Sequence, residues 1–261
     1  MLTLFGGEAV TDVSCVIPAF DSPELLARCL ASAASQKGVD LEIVVTDDSP
    51  GGAVAKFVAG FAPALPNLRY LQGPRSGNPV ENWNHGLDAA RGRLCVLVHH
   101  DEFLVDPHYL ARAAARLDES GAAAVVGPAE VIGVARRSRF ALAGAVARAL
   151  GRPVWLLPIL NRIGPTAAFV FRRGHRFDPA LVQLADVEFY RRVLGTRRPA
   201  FLNGVCVGSL GHHPTQITAR IDPPVLARRE LALLAARSPP GVAPLERAVF
   251  EAWLGARAWL R

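Results

Sequence analysis

Short, mostly apolar runs alternate with helix-like segments through the first half of the chain. The runs Val13–Pro18, Leu41–Thr46 and Leu94–Val98 have the composition of parallel strands that are buried on both faces. Helix signals separate them, and Ser22–Glu24 combines a capping serine, a proline and an acid at one helix start. This alternation predicts βαβ units, and therefore an α/β fold with a mostly parallel central sheet flanked by helices.

The second half of the chain is less regular. Val131–Pro165 mixes basic and apolar residues without a clear period, which makes it a candidate insertion or lid. A further strand is predicted at Phe201–Val207, and two Arg-rich amphipathic helices are predicted within Pro223–Arg261. We therefore predict one α/β domain over residues 1–222 and a helical C-terminal tail over residues 223–261.

The charge of the chain favours anionic ligands. Its net charge is +6, and Arg supplies almost all of the positive charge because Lys occurs only at Lys37 and Lys56. Such a surface attracts nucleotide phosphates, anionic lipid or acidic glycan. Nucleic acid is not an expected partner, since no basic run is interleaved with aromatic residues and no zinc-ligand spacing occurs.

The cysteines and the apolar segments bear on the cellular compartment. Cys15, Cys29, Cys95 and Cys206 are dispersed, which is typical of buried thiols in a reducing cytosol. The longest apolar region, Phe140–Leu160, is interrupted by arginines and prolines, whereas a membrane span needs about 20 mostly apolar residues. Since the sequence does not open on a signal-peptide pattern, we expect a soluble cytoplasmic protein whose membrane contact is peripheral, at the inner face.

Polar side chains directly follow the predicted strands. Pro18–Asp21 marks a strand that breaks into a helix N-terminus, a place suited to nucleotides and anions. Asp47 and Asp48 follow the second strand and can accept hydrogen bonds from a base or a ribose, and His99–Glu102 follow Leu94–Val98. Ligands bind beyond the carboxyl ends of strands in open α/β sheets, and hard oxygen ligands suit Mg²⁺ or Mn²⁺. This edge is therefore a candidate site for a metal ion with a phosphate-bearing substrate.

Asp186 and Glu188 form another acidic pair, at the start of a predicted helix. Adjacent carboxylates repel each other, so two such groups around one crevice require a cation or a ligand. Structural explanations stay open at this point. Asp47 and Asp48 also suit a turn, Asp186 also suits a helix N-cap, and His213 also suits an exposed loop.

The order and spacing of six short motifs resemble those of the family 2 glycosyltransferases, which are inverting sugar transferases with an A-type nucleotide-sugar-binding fold. The resemblance extends over Val13–Thr218. The motifs are Val16–Asp21, which resembles V-I-P-x-Y-N; Ile43–Ser49, which resembles I-V-V-D-D-G-S; the helix segment Asn78–Asn84; the D-x-D-type segment His99–Glu102; the E-D-x-D-like segment Ala185–Glu188; and the H-x-x-Q-x-S-like segment His213–Thr218.

The resemblance implies a role for each matching residue. Asp186 would be the general base, and Asp101 would be the main ligand of a Mn²⁺ or Mg²⁺ ion, with Glu102, His99 and His213 as further ligands. The implied donor-binding residues are Pro18, Ala19, Phe20, Asp21, Asp47, Asp48, Arg75, Asn78 and His100.

The resemblance also implies the substrates. The donor would be a nucleotide-diphosphate sugar, with UDP favoured over dTDP or GDP, and the acceptor a glycan or a lipid-linked saccharide of polysaccharide or envelope assembly. The chain departs from the family pattern at His99 and Glu102, where the metal motif carries Asp, and at Ala185, where an acid precedes the base. These departures leave an alternative open, namely a catalytically degenerate nucleotide-sugar or glycan binding protein of the same fold. The sequence does not indicate an oligomeric state.

Overall fold

The computed structural model describes residues 11–132, 161, 163–195, 197–211 and 223–236. No helix in these ranges is both long and apolar enough to cross a membrane. Three predicted features lie outside them: the segment Phe140–Leu160, His213 and the second helix of the tail. The described strands and helices are, in chain order, β1 Val13–Ala19, α1 Pro23–Ala34, β2 Leu41–Asp47, α2 Ala53–Phe61, β3 Leu68–Gln72, α3 Pro79–Ala89, β4 Leu94–Leu97, β5 Glu102–Leu104, α4 Tyr109–Ser120, β6 Ala124–Val126, β7 Ala129–Ile132, β8 Phe169–Arg172, α5 Ala185–Leu194, β9 Ala200–Phe201, β10 Val207–Leu210 and α6 Pro223–Ala236, with short 3₁₀ helices at Ala62–Ala64 and Thr166–Ala168.

The larger of two sheets has seven strands in the order β3-β2-β1-β4-β8-β6-β9. Strands β3, β2, β1 and β4 are parallel, β8 is antiparallel to both β4 and β6, and β9 is parallel to β6. A smaller sheet has the order β5-β10-β7. The predicted α/β fold with a mostly parallel central sheet is therefore confirmed.

The structure differs from the single strand predicted at Phe201–Val207. The chain instead forms β9 in the larger sheet and β10 in the smaller sheet, with a bend between them. Gly204 lies in this bend with a φ of +80°, a left-handed conformation that glycine adopts easily and that no extended strand contains. The apolar run is thus divided between two sheets.

Hydrophobic side chains cover both faces of the larger sheet, as expected for a sheet that is buried on both sides. Along β1, Cys15 and Ile17 join the cluster formed with α1 and α4, whereas Val16 joins the cluster formed with α3, α5 and α6. Helix α6 contributes Leu231 and Leu234 to this second cluster. The described part of the predicted tail therefore packs on the same core as the sheet.

Helix α3 approaches the sheet closely at Gly86. A Cβ atom there would lie 2.5 Å from a methyl carbon of Val16 and 2.8 Å from a methyl carbon of Thr46. Gly60 in α2 is its natural control, because a Cβ atom there would meet nothing within 4 Å.

We expect the substitution Gly86→Ala to lower the free energy of unfolding by about 1–3 kcal/mol, because overpacking forces backbone shifts. The substitution Gly60→Ala should raise it by about 0.5–1 kcal/mol, since alanine favours a helix over glycine. Urea denaturation of the two variants and the wild type measures both effects. A Gly86→Ala variant as stable as Gly60→Ala would contradict the close packing of α3 on the sheet.

Candidate active site

The ends of β1 and β2 lie side by side at the carboxyl edge of the larger sheet. Ala19 is aligned with Asp47 in the strand register, and the backbone N–H of Asp48 donates to the Ala19 carbonyl at 3.1 Å. The N–H of Asp21 donates to the hydroxyl of Ser49 at 2.9 Å. Pro18 is buried within β1, whereas the Phe20 ring is 40% exposed beyond it. The two turns therefore form one surface, on which Phe20 offers an apolar face.

Two adjacent carboxylates on this surface have different surroundings. Asp47 is fully buried and accepts hydrogen bonds from the N–H and the hydroxyl of Ser49, and from the Tyr70 hydroxyl at 2.8 Å. Burial and the bond to Asp47 raise the pKa of Tyr70 to about 12, so Tyr70 stays a hydrogen-bond donor. Asp48 instead accepts the N–H of Arg75 from the loop after β3. Asp47 thus braces the turn, and Asp48 is the better candidate for contact with a ligand.

Two non-glycine residues at this edge have left-handed backbone conformations. Asp21 has a φ of 43° and Arg75 a φ of 55°. Such conformations cost about 1–3 kcal/mol each and persist where the surrounding structure holds them, as at ligand sites. Here the N–H of each residue is held by a side chain of the second turn, Ser49 for Asp21 and Asp48 for Arg75. The strain supports a functional role for this edge.

Asn78 has a structural assignment in addition to its predicted role in donor binding. Its side-chain oxygen caps α3 by accepting the N–H of Val80 at 3.0 Å, and its amide group donates to the Pro179 carbonyl at 2.9 Å. Nearby, the buried amide of Asn82 both donates to and accepts from Thr46 at the end of β2. Both asparagines hold α3 in place, and donor contact by Asn78 stays a prediction.

The polar motif after β4 divides into partly exposed and buried members. His99, His100 and Asp101 are partly exposed, whereas Glu102 is buried at the start of β5. One oxygen of Glu102 accepts the N–H of His99 at 3.0 Å. It also accepts the N–H of Ala167 at 3.1 Å and the hydroxyl of Thr166 at 3.2 Å. Burial and the charge of Asp101 raise the pKa of Glu102 to about 8. Glu102 therefore connects the polar motif after β4 with the 3₁₀ helix Thr166–Ala168 through hydrogen bonds.

His99 lies between this junction and α3. Its ring packs against Trp83 with centroids 4.8 Å apart, and its Nδ1 atom lies 3.4 Å from the Thr166 hydroxyl. The Nε2 atom is buried and has no hydrogen-bond partner within the described ranges. Burial lowers the pKa of His99 to about 4, so the imidazole is neutral at physiological pH. A neutral imidazole is the form that binds a metal.

These residues suit an ion that arrives with a phosphate substrate better than a closed protein cage. Within the described part of the chain, no group of three or more His, Cys, Asp or Glu side chains is arranged to hold a metal. Mg²⁺ bound with phosphates needs only one or two carboxylates from the protein. Asp101 is a partly exposed carboxylate at the sheet edge, and therefore fits that requirement.

Asp186 lies in the first turn of α5. One of its oxygens accepts the N–H of Val187 at 2.7 Å, and the other accepts the side-chain amide of Asn161 at 2.7 Å. Asn161 is itself held by both the N–H and the carbonyl of Gly164, each at 2.9 Å. Burial, with a contribution from the charge of Glu230, raises the pKa of Asp186 to about 6. A carboxylate with a pKa near neutrality suits a general base.

A short stretch of chain connects Asp186 to the polar motif. Asn161 bonds to Asp186, and Thr166 and Ala167, five and six residues later, bond to Glu102. Burial and the negative charges of Asp186 and Glu102 all raise the pKa of Tyr190, so both carboxylates are within electrostatic reach of this residue. The segment before β8 therefore brings the two acidic elements together.

The turns after β1 and β2 lie at the same edge of the sheet as the polar motif after β4. Strand β1 separates β2 from β4, and neighbouring strands are about 4.8 Å apart, so the ends of β2 and β4 are separated by about 10 Å. Asp48 follows β2, and Asp101 follows β4. Both therefore lie beyond the carboxyl edge, where ligands bind in open α/β sheets.

A sequence model described as Glycosyl transferase family 2 matches residues 14–173, which is more than half of the chain. The match begins in β1 and extends through β8, so it includes the turns after β1 and β2 and the polar motif after β4. The chain belongs to this family. The resemblance proposed from the motifs is thereby confirmed.

The chain matches two curated relatives over part of their length. The chain is 34% identical over 131 residues to the succinoglycan biosynthesis protein ExoO of Rhizobium meliloti (strain 1021), and the match covers 50% of the chain and 37% of that protein. It is 31% identical over 202 residues to an uncharacterized protein of Mycobacterium tuberculosis (strain CDC 1551 / Oshkosh), covering 70% of the chain and 61% of that protein. The chain thus spans less than two thirds of either relative.

Solved structures share the fold of this chain at low sequence identity. S. aureus TarS 1–349 in complex with UDP-GlcNAc has a TM-score of 0.64 at 17% identity, covering 93% of the chain and 71% of that structure. The mannosyltransferase PcManGT from Pyrobaculum calidifontis, in complex with GDP-Man and Mn²⁺, has a TM-score of 0.63 at 19% identity, covering 94% of the chain and 70% of that structure. At these identities the likeness establishes the fold alone.

Sequence reasoning missed several residues that shape this candidate site. They belong to no motif, and each acts on a partner that is distant in sequence. Tyr70 reaches Asp47 from the next strand, and Asn161 reaches Asp186 from a region without a periodic pattern. Glu230 reaches the start of α5 from the predicted tail. No local sequence signal identifies these contacts.

The surroundings of Glu102 allow a test of its predicted role as a metal ligand. We expect Glu102→Ala to lower the free energy of unfolding by about 2–4 kcal/mol, because the buried N–H groups of His99 and Ala167 lose their acceptor. Glu102→Gln retains an acceptor oxygen and should unfold closer to the wild type. If Glu102 is structural, Glu102→Gln also keeps its Mn²⁺ affinity within about threefold of the wild type, measured by calorimetry with UDP. A loss of about 10- to 100-fold would identify Glu102 as a residue that orients the ligands, and abolished Mn²⁺ binding would identify it as a ligand.

Proposed function

We propose that this protein transfers a sugar, with inversion, from a UDP-sugar to a hydroxyl group of a glycan or a lipid-linked saccharide. The observation that carries the proposal is the position of Asp186, a carboxylate with a pKa raised to about 6 that is connected through Asn161 and the following residues to the polar motif after β4. Family membership supports the reaction class. The geometry supports the assignment of roles.

The donor would lie along the carboxyl edge of the sheet. The backbone of Pro18–Phe20 and the carboxylate of Asp48 would hold the base and the ribose, with Asp47 bracing the turn. Asp21 and Arg75 would complete this pocket, and Asn78 and His100 remain further candidates. The UDP-GlcNAc complex of TarS supports a UDP-sugar, and the GDP-Man complex of the mannosyltransferase makes GDP the main competitor.

Asp101 would hold a Mn²⁺ or Mg²⁺ ion beside the diphosphate, with His99 and His213 as additional candidate ligands. When bound there, the ion would neutralise charge on the departing nucleotide diphosphate. The Mn²⁺ in the mannosyltransferase complex supports this choice of metal. The neutral imidazole of His99, whose Nε2 atom has no hydrogen-bond partner among the described residues, also favours it.

Asp186 would act as the general base. Its carboxylate would take the proton of the acceptor hydroxyl while that oxygen forms a bond to the anomeric carbon. The bond between the anomeric carbon and the diphosphate oxygen breaks, and its electron pair leaves with the nucleotide diphosphate. Attack from the face opposite the diphosphate inverts the anomeric centre. The bond from Asn161 would keep the carboxylate oriented toward the acceptor.

The acceptor is the least constrained part of the proposal. The name of the Rhizobium relative, a succinoglycan biosynthesis protein, supports an acceptor used in polysaccharide assembly. We propose peripheral contact with the inner face of a membrane for a lipid-linked acceptor, because Arg-rich segments attract anionic lipid. Binding to vesicles of anionic and of neutral phospholipid tests this contact. A protein that binds neither kind of vesicle would contradict it.

A nucleotide screen tests the proposed function. A ligand that binds only the native state raises its stability, by about 2.7 kcal/mol at a concentration of 100 times Kd. We expect UDP with Mn²⁺ to raise the melting temperature more than GDP or dTDP with Mn²⁺. The matching nucleotide sugar should then be hydrolysed slowly in Mn²⁺. Binding without any turnover, with or without oligosaccharide acceptors, would favour the degenerate binding protein instead.

A further inference from the structure

A carboxylate from the predicted tail holds the segment that leads into α5, the helix that carries Asp186. Glu230 on α6 is 1% exposed, and its first oxygen accepts the N–H groups of Val182 at 2.8 Å and Gln183 at 3.2 Å. Its second oxygen accepts the N–H of Leu184 at 2.8 Å. These three consecutive amides directly precede α5, whose N-cap Leu184 has no side-chain capping bond. In a capping box the N–H of the N-cap residue is bound by a carboxylate from the helix's own first turn, whereas here the carboxylate comes from a residue more than forty positions away.

We infer that Glu230 is a positioning residue for Asp186, holding the residues that lead into α5 so that the base faces the acceptor. This inference rests on the proposed function, because it assumes that Asp186 is the base. Asp186 follows Leu184 by two residues, in the first turn of α5. A shift of residues 182–184 would therefore move the Asp186 carboxylate directly.

The packing around Glu230 makes α6 a firm support. Leu231 and Leu234 on α6 lie in the same hydrophobic cluster as Leu181 and Leu184. Without Glu230, the amides of the segment before α5 would lose their acceptor in a largely buried setting, where unpaired donors are costly. Asn161 holds Asp186 from the other side. The base is thus fixed between two contacts from distant parts of the chain.

Glu230 also acts on Asp186 through its charge. Burial is the larger cause of the raised pKa of Asp186, and the negative charge of Glu230 raises it further. Among the described residues, the other side chains that act on Asp186 are Asn161, which is neutral, and Tyr190, whose own pKa is raised well above its usual value by burial. The charge of Glu102 also raises the pKa of Tyr190. Removing the charge at Glu230 should therefore lower the pKa of Asp186.

The test compares Glu230→Gln with Leu234→Ala in the full-length chain. Leu234→Ala is the matched control because it weakens the packing of the same helix and leaves the Glu230 carboxylate in place. The pKa of Asp186 is measured by ¹³C NMR of the aspartate carboxyl groups, with its resonance identified by its loss in Asp186→Asn. Hydrolysis of UDP-GlcNAc and GDP-mannose in Mn²⁺ gives kcat and KM. Hydrogen exchange reports the amides of Val182–Leu184.

We expect Glu230→Gln to lower the titration midpoint of Asp186, to speed exchange at Leu184 and to reduce kcat by roughly 10- to 100-fold, because small misplacements of reacting groups are costly. The KM for the donor should stay within about twofold, since donor contacts lie on other elements. Leu234→Ala should lose thermal stability without a change in midpoint or kcat. A wild-type midpoint and kcat in Glu230→Gln, or the same changes in Leu234→Ala, would overturn the inference.

Two further variants keep the outcomes distinct. If Glu230→Gln does not fold, Glu230→Asp retains the charge and shortens the reach, so it should keep the midpoint of Asp186 and still lose kcat; unchanged kcat would overturn the inference. If Asp186→Asn retains full hydrolysis, the proposed base is wrong and the proposed function fails with it. If Asp186→Asn is inactive while Glu230→Gln behaves as the wild type, the positioning role alone is wrong.

Discussion

Asp186→Asn should reduce kcat for sugar transfer by about 10²–10⁴-fold, the contribution of a general base, while donor affinity stays within about twofold. The change replaces a carboxylate that can take a proton with an amide that cannot, and it leaves the shape of the side chain nearly the same. Steady-state kinetics give kcat, and calorimetry with UDP and Mn²⁺ gives donor affinity. Retention of full transfer would show that another group accepts the proton.

Glu188→Gln is the matched control for Asp186→Asn. Glu188 lies in the same first turn of α5, but its carboxylate pairs with Arg192 at 2.7 Å. We expect this variant to lose a little stability and to keep the wild-type kcat. A comparable loss of kcat in both variants would mean that α5 is sensitive to any change of charge.

The pH profile gives an independent check on Asp186. Burial raises the pKa of Asp186 to about 6, and a base works only when it is deprotonated. The wild-type kcat should therefore rise with pH, with its midpoint near 6, and fall about tenfold for each pH unit below that midpoint. The residual activity of Asp186→Asn should lack this acidic limb. A limb that survives in the variant would belong to a different group.

Asp101→Ala should reduce kcat by about 10²–10³-fold, the usual effect of losing an electrostatic contact that stabilises developing charge. It should also abolish the difference in thermal stabilisation between UDP alone and UDP with Mn²⁺. The reason is that Asp101 is the partly exposed carboxylate of the motif, whereas Glu102 is committed to buried N–H groups. Thermal shift and kinetics across a Mn²⁺ series measure both effects.

Asp118→Ala is the control for Asp101→Ala. Asp118 pairs with Arg93, which directly precedes β4, so this aspartate lies at the opposite end of the strand that leads to Asp101. The variant should keep both the wild-type kcat and the dependence on Mn²⁺. If Asp101→Ala retains the Mn²⁺ response while Asp118→Ala also does, the ion is held elsewhere.

The sequence predicted the parts of the fold that depend on local pattern. The apolar runs at β1, β2 and β4 identified the buried strands, and α5 begins at Ala185, directly before the acidic pair where a helix start was predicted. The single strand predicted at Phe201–Val207 was wrong because one bend at a glycine divides this run between two sheets. An apolar pattern records burial, and it does not record to which sheet a residue belongs.

The candidate site shows the same limit in its side chains. Four adjacent residues, His99–Glu102, carry metal-competent groups, and the sequence gives no sign that Glu102 turns inward to the 3₁₀ helix. Asp47 and Asp48 are likewise adjacent and both buried, yet Asp47 is bonded to Ser49 and Tyr70, whereas Asp48 is bonded to the backbone of the Arg75 loop. These differences arise from contacts made by distant segments, which a single sequence does not specify.

The most direct measurement is a crystal structure of the protein with UDP and Mn²⁺. We expect the ribose to lie against Asp48, the metal ion to lie between the diphosphate and Asp101, and the Asp186 carboxylate to face the end of the diphosphate where the sugar would be attached. A nucleotide bound away from this edge, or an Asp186 carboxylate turned away from the diphosphate, would contradict this expectation.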